Sequence, residues 1–147
     1  MGKYYFGTRS KNNLGNVRQE LIELAQEVLD LGLFDFGITC GAREKEEQEK
    51  LFFEGRTKVR YPNSKHNVIP GDPEREKACA FDFVLYVNGK ATYEKEDLPS
   101  YYMAIGVFIG IAAKKGIKIR CGGDWDGDFD VKDQSFHDLP HVELILD

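Results

Sequence analysis

Three histidines in this sequence lie in segments that also carry hydroxyl or carboxylate side chains. His66 follows Ser64, and the segment 136–143 contains His137 and His141 among acidic residues. Imidazole and carboxylate groups are common zinc ligands, and a hydrolytic zinc site combines three protein ligands with one open position for water. The metal lowers the pKa of that water to about 7, and a nearby carboxylate is needed as general base. These residue types therefore raise the hypothesis of a hydrolytic metal site.

The common helical and cysteine-rich zinc motifs are missing from the sequence. There is no HExxH segment, which excludes the usual zincin helix. Cys40, Cys79 and Cys121 form no CxxC pair, which excludes a zinc knuckle. We expect the cysteines to be small, partly buried residues of a protein kept in a reducing cytoplasm, with a nucleophilic Cys40 as the alternative. A metal site would have to be assembled from separate strands and loops.

Asp82 is a candidate ligand because its neighbours in the sequence are apolar. It lies in the apolar, strand-like segment 80–87 and alternates with Phe81 and Phe83, so it points away from the side on which they pack. A carboxylate inside an apolar strand is costly unless it is paired or bound to a metal. From the pattern alone, a surface-facing Asp82 and a surface-facing His141 remain open alternatives.

The elements that must position these residues can be read from hydrophobic periodicity and turn residues. Helices are expected at 17–32, 44–53 and 97–115, and strands at 33–40, 80–87, 117–121 and 141–146. The segment 56–77 has no periodicity and is predicted to be a long loop, and Asn88-Gly89 predicts a hairpin turn. Helices and strands mixed in this order predict an α+β fold with a small, mainly antiparallel sheet.

Length and composition limit the classes of partner. The chain has 147 residues without repeats or a linker, which predicts one domain over 1–147. Its net charge is -5 and its basic residues are scattered, so we expect no nucleic-acid partner. The N-terminus has no apolar signal segment, and the longest apolar run, 101–113, is too short to span a bilayer. We therefore expect a soluble protein made in a cytoplasm, without membrane insertion.

Three segments resemble the signature of a known peptidase group. Residues 64–66 (SKH), 80–82 (AFD) and 138–144 (DLPHVEL) are similar to the pattern SxHxxGxAxD followed by DxxH in LAS-type zinc peptidases. This group includes D-alanyl-D-alanine carboxypeptidases and the L-alanyl-D-glutamate endopeptidases that tailed phages use as endolysins. The resemblance implies zinc as cofactor and a hedgehog/D-Ala-D-Ala-peptidase-like fold. The zinc ligands it implies are His66, Asp82 and His141, and the general base it implies is Asp138.

Further segments are similar to the single-domain endolysin branch of this group. They are Tyr5-Phe6-Gly7, the run 38–43 with Gln48 and Gly55, the segment 87–90, and Gly123-Asp124-Trp125. The resemblance implies a monomer that waits in the host cytoplasm, is released to the wall, and cuts peptidoglycan peptides at L-alanyl-D-glutamate. A D-Ala-D-Ala carboxypeptidase and a non-catalytic, metal-stabilised wall-binding module are the alternatives. The presence of Asp138 argues against the second alternative.

The sequence departs from the family pattern between the first two proposed ligands. His66 and Asp82 are sixteen positions apart, whereas the pattern places them seven apart. The excess lies in the charged segment 70–77, which we interpret as a loop insertion within 67–79, and loop length costs little stability. Asp72 is a rival ligand at nearly the family spacing. We reject it because it lies between Gly71 and Pro73 and no apolar strand follows it.

Four more residues are candidates for supporting roles. The resemblance implies that Arg43 binds a peptide carboxylate or polarises the scissile carbonyl; the alternative is a solvated charge at a helix start. Ser64 either bonds within the site or shapes its loop. His137 is expected to orient the base, lie in the substrate cleft or face solvent. Glu143 lies on the same strand face as His141, where it would support that ligand or form a cross-strand salt bridge.

A dense acidic run precedes the last strand. It contains Asp124, Asp126, Asp128 and Asp130, and closely spaced carboxylates are typical of calcium sites. The run has no complete EF-hand loop, because no Glu occupies the twelfth position. Related phage endolysins carry a calcium-regulated loop in this region, so the resemblance implies a possible Ca2+ site. The alternative is a solvated acidic loop near the cleft.

Overall fold

Ten short elements make up the described part of the chain. The computed structural model of the protein describes residues 3–122 and 138–146, and for residues 138 and 139 it describes the backbone alone. The helices are α1 (Thr8–Leu14), α2 (Gln19–Asp30), α3 (Lys45–Phe53), a short 3-10 helix (Lys95–Asp97) and α4 (Leu98–Lys115). The strands are β1 (Asp35–Cys40), β2 (Ala80–Val87), β3 (Lys90–Thr92), β4 (Ile119–Gly122) and β5 (Asp138–Leu144). Within these residues no helix is both long and apolar enough to cross a membrane.

The five strands form one sheet in which all described pairings are antiparallel. Its order is β1-β2-β5-β4, and β3 pairs with β2 beside this path. The order confirms the predicted α+β class with a small antiparallel sheet. The Asn88-Gly89 turn is also confirmed: Val87 pairs with Lys90, and both turn residues have positive φ, at 54° and 78°. A two-residue turn of this kind matches the twist of a hairpin.

The two faces of the sheet differ in chemistry. Phe81 and Phe83 are fully buried on the core face, where Val142 of β5 lies directly opposite Phe81. Asp82 lies on the opposite face, and its partner across the strands is His141. We call this opposite side the site face; it carries Asp82, Val84, Tyr86 and His141. The alternation predicted for β2 and β5 is therefore confirmed.

The core face is covered mainly by two apolar helices. The helix predicted at 17–32 is observed as α2, and its buried stripe consists of Leu21, Leu24, Ala25, Val28 and Leu29. Phe108 of α4 is fully buried, and its ring contacts the rings of Phe36, Phe81 and Phe83 with centroids 5.1 to 5.8 Å apart. Such aromatic clusters add packing energy beyond the buried area. They support β1 and β2 directly beneath the site face.

A bulge in β1 changes the side to which the end of that strand points. Ile38 is paired with Phe83, but the next pair joins Cys40 to Asp82, so Thr39 is an extra residue. Ile38 therefore lies on the core face, whereas Cys40 lies on the site face beside Asp82. In a regular strand, residues 38 and 40 would lie on the same face, and the extra residue at the bulge places them on opposite faces. The bulge thus brings the Cys40-Gly41 segment to the predicted metal site.

Candidate metal centre

The three predicted ligands meet at one carboxylate oxygen. Asp82 Oδ1 lies 3.2 Å from His66 Nε2 and 3.0 Å from His141 Nδ1. The centroids of the two imidazole rings are 5.2 Å apart. Asp82 comes from the middle of β2, His141 from the neighbouring strand β5, and His66 from the long loop. The structure therefore brings together residues that the sequence separates by up to 75 positions, from His66 to His141.

Each imidazole has an acceptor at its outer nitrogen. His66 Nδ1 lies 2.8 Å from the carbonyl oxygen of Gly41, and His141 Nε2 lies 2.9 Å from Glu143 Oε1. Carbonyl and carboxylate oxygens only accept, so each outer nitrogen donates its N–H. In a neutral ring the inner nitrogen then presents a lone pair toward Asp82. Metal-binding histidines are typically oriented in this way, so two lone pairs and a carboxylate fit a metal ion here.

Glu143 has two partners, so both contacts considered for it are present. Its second oxygen, Oε2, lies 2.9 Å from Arg120 Nη2 across the β4–β5 pair. The residue is only 4% exposed, and a buried carboxylate requires such partners. Burial raises its pKa, but the hydrogen bonds and charges of His141 and Arg120 together outweigh burial and leave the pKa below the usual range. Glu143 thus stays ionised, and it accepts the hydrogen bond from His141 Nε2 that orients the imidazole ring.

Without a metal ion, protons occupy the space between the imidazoles and Asp82. Burial opposes charge on His66, but its hydrogen bonds to Asp82 and Cys40 prevail and raise its pKa to about 10. The pKa of His141 is raised in the same sense, against burial, by Asp82 and Glu143. Burial alone would raise the pKa of Asp82, but hydrogen bonds from both histidines hold it well below its usual range. In the metal-free protein the two imidazoles therefore favour their protonated forms, and a cation that binds between them would have to displace those protons.

The loop that carries His66 is fixed by short hydrogen bonds. The hydroxyl of Ser64 accepts from the backbone N–H of His66 at 3.2 Å, so Ser64 shapes the loop. The guanidinium of Arg75, within the insertion, donates to the Ser64 carbonyl at 2.8 Å. The backbone N–H of Cys79 donates to the Lys65 carbonyl, also at 2.8 Å. The insertion and the residue Cys79 that follows it thus hold the two residues that precede the proposed ligand.

The other side of the insertion is attached to the segment before α2. Arg18 donates to the carbonyl of Glu74 at 3.2 Å, and Val17 forms an isolated bridge with Ala78. Asp72, the rival ligand, accepts from the backbone N–H of Glu74 at 3.0 Å within the insertion itself. This contact accounts for Asp72 as a turn-forming residue.

Arg43 lies against the same loop and is largely buried. Its backbone N–H donates to the His66 carbonyl at 2.7 Å, and only 14% of its side chain is exposed. The guanidinium donates to Gln48 Oε1 at 2.9 Å and to Cys40 Sγ at 3.3 Å. A solvated charge at a helix start would make none of these contacts. Arg43 is therefore held beside Cys40 and the His66 loop.

Two buried amides that complete this network were not predicted from residue chemistry. Gln48 is fully buried in helix α3, where charged residues flank it on both sides, and it donates to the Val59 carbonyl at 2.6 Å. Asn67 is also fully buried and donates to Gln48 Oε1 at 3.0 Å. Gln48 entered the sequence analysis only through the family resemblance. Asn67, adjacent to His66 in an aperiodic loop, had no distinguishing signal.

Cys40 offers a second possible donor set. Its Sγ, a nitrogen of His66 and an oxygen of Asp82 all lie within 4.8 Å of one another. The thiol is 3.6 Å from His66 Nδ1, the nitrogen already bonded to Gly41, whereas Asp82 faces Nε2. Cys40 thus lies at the outer nitrogen of the ring, and we favour His141 as the third ligand. Burial disfavours the thiolate form of Cys40, but His66 and Arg43 lower the pKa of the Cys40 thiol.

Several predicted residues fall outside what the structure describes. They are His137 and the acidic residues Asp124, Asp126, Asp128 and Asp130. Asp138, the predicted base, is described by its backbone, which begins β5 opposite Gly122 and three residues before His141.

Comparisons with known proteins place nearly the whole chain in one family. Residues 2–145 match the model of the family described as phage L-alanyl-D-glutamate peptidase. The L-alanyl-D-glutamate peptidase of Escherichia phage T5 is 32% identical over 146 residues, covering 97% of this chain and 98% of that protein. The crystal structure of Serratia marcescens L-Ala D-Glu endopeptidase ChiX has the same fold, with a TM-score of 0.69, 22% identity, and coverage of 97% and 92%. The chain belongs to the phage L-alanyl-D-glutamate peptidase family.

Proposed function

We propose that this peptidase is a zinc-dependent endopeptidase that hydrolyses the L-alanyl-D-glutamate bond of peptidoglycan stem peptides. His66, Asp82 and His141 bind the metal. The observation that supports the metal most directly is the meeting of two imidazole nitrogens and one carboxylate oxygen within 3.2 Å, with both outer nitrogens bonded to acceptors. The bond and the substrate follow the family and the phage T5 relative.

Each remaining group has a role in amide hydrolysis. Bound zinc supplies Lewis acidity, which polarises a peptide carbonyl and acidifies water. Asp138 takes the proton of the attacking water and passes it to the leaving amine. Arg43 stabilises negative charge on the former carbonyl oxygen. Its guanidinium has five N–H donors; because Gln48 and Cys40 accept from two of them, others remain for substrate.

Digestion of purified peptidoglycan tests the reaction and its position. The proposed endopeptidase produces a new amino-terminal glutamate and separates the peptides from the glycan. A D-Ala-D-Ala carboxypeptidase would instead release free D-alanine and leave the L-alanyl bond intact. The appearance of alanine without new amino-terminal glutamate would contradict the proposed bond. If neither product forms, while the protein still sediments with the wall, a non-catalytic wall-binding module is the better description.

Metal content of purified variants tests the ligands. We expect His66→Ala, Asp82→Ala and His141→Ala to lose bound zinc, and the matched control Cys40→Ala to retain it. Loss of zinc from Cys40→Ala with retention in His141→Ala would favour the cysteine-containing donor set instead. Full occupancy in Asp82→Ala would favour Asp72. The same analysis measures calcium, which we propose for Asp124, Asp126, Asp128 and Asp130.

Asp138→Asn tests the base separately from the metal. Removing a general base typically costs about 100-fold to 10,000-fold in rate. We expect wall clearing by this variant to fall by that factor while its zinc content stays at the wild-type level. Clearing as fast as wild type would show that another group takes the proton.

A further inference from the structure

A second concave feature lies apart from the metal centre. It is a cavity of about 230 Å³ between the N-terminal segment, α1, β1 and the end of β2. Its lining includes the side chains of Tyr5, Arg9, Ser10, Asp35 and Tyr86, and Gly37 forms part of its wall. None of these residues has a role in the proposed peptide hydrolysis.

The cavity opens on the same side of the sheet as the metal centre. Asp35 is paired with Tyr86, and further along the same two strands Cys40 is paired with Asp82. Tyr86 and Asp82 share the site face of β2 and are four residues apart. At about 3.3 Å per residue, the Tyr86 end of the cavity lies about 13 Å along β2 from Asp82, the proposed metal ligand. A single extended substrate can therefore reach both.

Two opposite charges line this cavity without pairing with each other. Neither Arg9 nor Asp35 forms an ion pair with any residue that the structure describes. Asp35 is partly buried, and burial raises the pKa of its carboxyl group despite a hydrogen bond from the Phe36 backbone. A partly desolvated carboxylate gains from a cationic partner, and an unpaired guanidinium gains from a carboxylate.

The wall near the sheet is kept open by a glycine. A Cβ atom at position 37 would lie 2.8 Å from the hydroxyl of Tyr86 and 3.3 Å from that of Ser10. Any side chain there would displace Tyr86, which lines the cavity beside Asp35. Tyr5 is 74% exposed and lines it as well. The two phenol rings offer apolar surface for an aliphatic chain between the charged groups.

We infer that this cavity binds the free ammonium-and-carboxylate end of a diamino acid residue in the substrate peptide, with Asp35 facing the ammonium and Arg9 facing the carboxylate. The choice of ligand rests on the proposed function. Two extended residues span about 7 Å. A long diamino side chain on the second residue after the cut therefore reaches the Tyr86 end of the cavity, about 13 Å from Asp82. A neutral sugar would leave both charges without a partner.

Titration with small molecules tests the cavity without requiring catalysis. We expect meso-diaminopimelate to bind the full chain, and pimelate, cadaverine and N-acetylglucosamine to bind at least tenfold more weakly. Asp35→Asn and Arg9→Gln should each weaken diaminopimelate binding at least tenfold, whereas the exposed controls Asp30→Asn and Arg56→Gln should not. Asp82→Ala should retain binding, which separates the cavity from the metal. Preferential binding of the sugar, or equal binding by the Asp35 and Arg9 variants, would overturn the inference.

Peptide hydrolysis gives an independent measurement. With a stem peptide that carries diaminopimelate after D-glutamate, Asp35→Asn should raise KM at least tenfold and change kcat less. With norleucine at that position, the wild type should resemble the variant. Equal KM values for the two proteins on the diaminopimelate peptide would overturn the inference. Failure of every protein to cleave either peptide would contradict the proposed function, and the titration would then decide the cavity alone.

Discussion

His66 and His141 are each fixed at both ring nitrogens, and this accounts for a buried carboxylate between them. Asp82 would be costly in an apolar strand without partners. Here it accepts from both rings, and Gly41 and Glu143 hold the opposite sides of those rings. Removing any one member leaves another buried polar group without its partner, which is more costly than the loss of a surface contact.

At this scale, zinc binding should be linked to proton release. The pKa of His66 is raised to about 10 from 6.5, so at pH 7 the metal-free ring is charged and must lose a proton to bind zinc. The apparent affinity should therefore rise with pH, about tenfold per unit for each proton released, and level off as the pH approaches 10. Calorimetric titrations between pH 6 and 9, in buffers of different ionisation enthalpy, measure the zinc affinity and the number of protons released.

The pH dependence of zinc affinity and the pH dependence of folding stability have opposite signs, so the two can be told apart. Stability that comes from the charged His66 is complete below about pH 6.5 and is lost as the pH rises through 10, the opposite of the trend expected for zinc affinity. Unfolding measured on the metal-free protein over the same range serves as the control. An affinity independent of pH, with no buffer-dependent heat, would contradict a protonated His66.

At the scale of elements, periodicity predicted those parts whose side chains alternate against a core. β2 was predicted with its observed bounds, and α2 and α4 to within a few residues. The short helix α1 was not predicted, because its order depends on distant contacts. Ser10 accepts from the Ile38 N–H at 2.9 Å, and Asn13 donates to the Ile38 carbonyl at 2.7 Å.

The candidate site also contains some features that could be predicted from the sequence and others that could not. The facing of Asp82 and His141 follows from strand alternation, so it could be predicted from residues alone. His66 lies in an aperiodic loop, where its residue type made it a candidate but only the resemblance implied that it is a ligand. The acceptor at its outer nitrogen is the Gly41 carbonyl, a backbone group reached through the bulge at Thr39. No residue type reveals such a partner in advance.

Gly41→Ala tests how closely α1 must approach the site. A Cβ atom at this position would lie 1.7 Å from the carbonyl oxygen of Asn13, a backbone atom that cannot move without shifting α1. We expect the free energy of unfolding to fall by about 3 kcal/mol or more, the upper range for overpacking. Zinc affinity should fall with it, because the Gly41 carbonyl orients His66. Urea denaturation and zinc titration measure the two effects.

Gly110→Ala is the matched control for this substitution. Gly110 lies within α4, and a Cβ atom there would meet nothing within 4 Å. Alanine is favoured over glycine in a helix by about 0.5–1 kcal/mol, so this variant should be more stable than wild type. If Gly41→Ala unfolds at the same urea concentration as Gly110→Ala, the close approach of α1 to Gly41 is wrong.

At the scale of the whole molecule, the candidate centre joins parts of the chain that the sheet alone does not fix. β2 and β5 supply Asp82 and His141, but His66 belongs to the loop 56–77, which has no helix or named strand among its residues. A bound ion would attach this loop and the insertion to the centre of the sheet. A ligand that binds only the folded state stabilises it by mass action.

Removal of zinc should therefore lower the melting temperature of the protein. With free zinc at 100 times its Kd, the folded state gains about 2.7 kcal/mol. For a chain of this size that corresponds to about 5–10 °C in Tm. Scanning calorimetry of the wild type with zinc and with a chelator measures the shift, and Asp82→Ala should show none because it lacks the central ligand. Equal shifts in the two proteins would mean that zinc stabilises the fold from a site that does not contain Asp82.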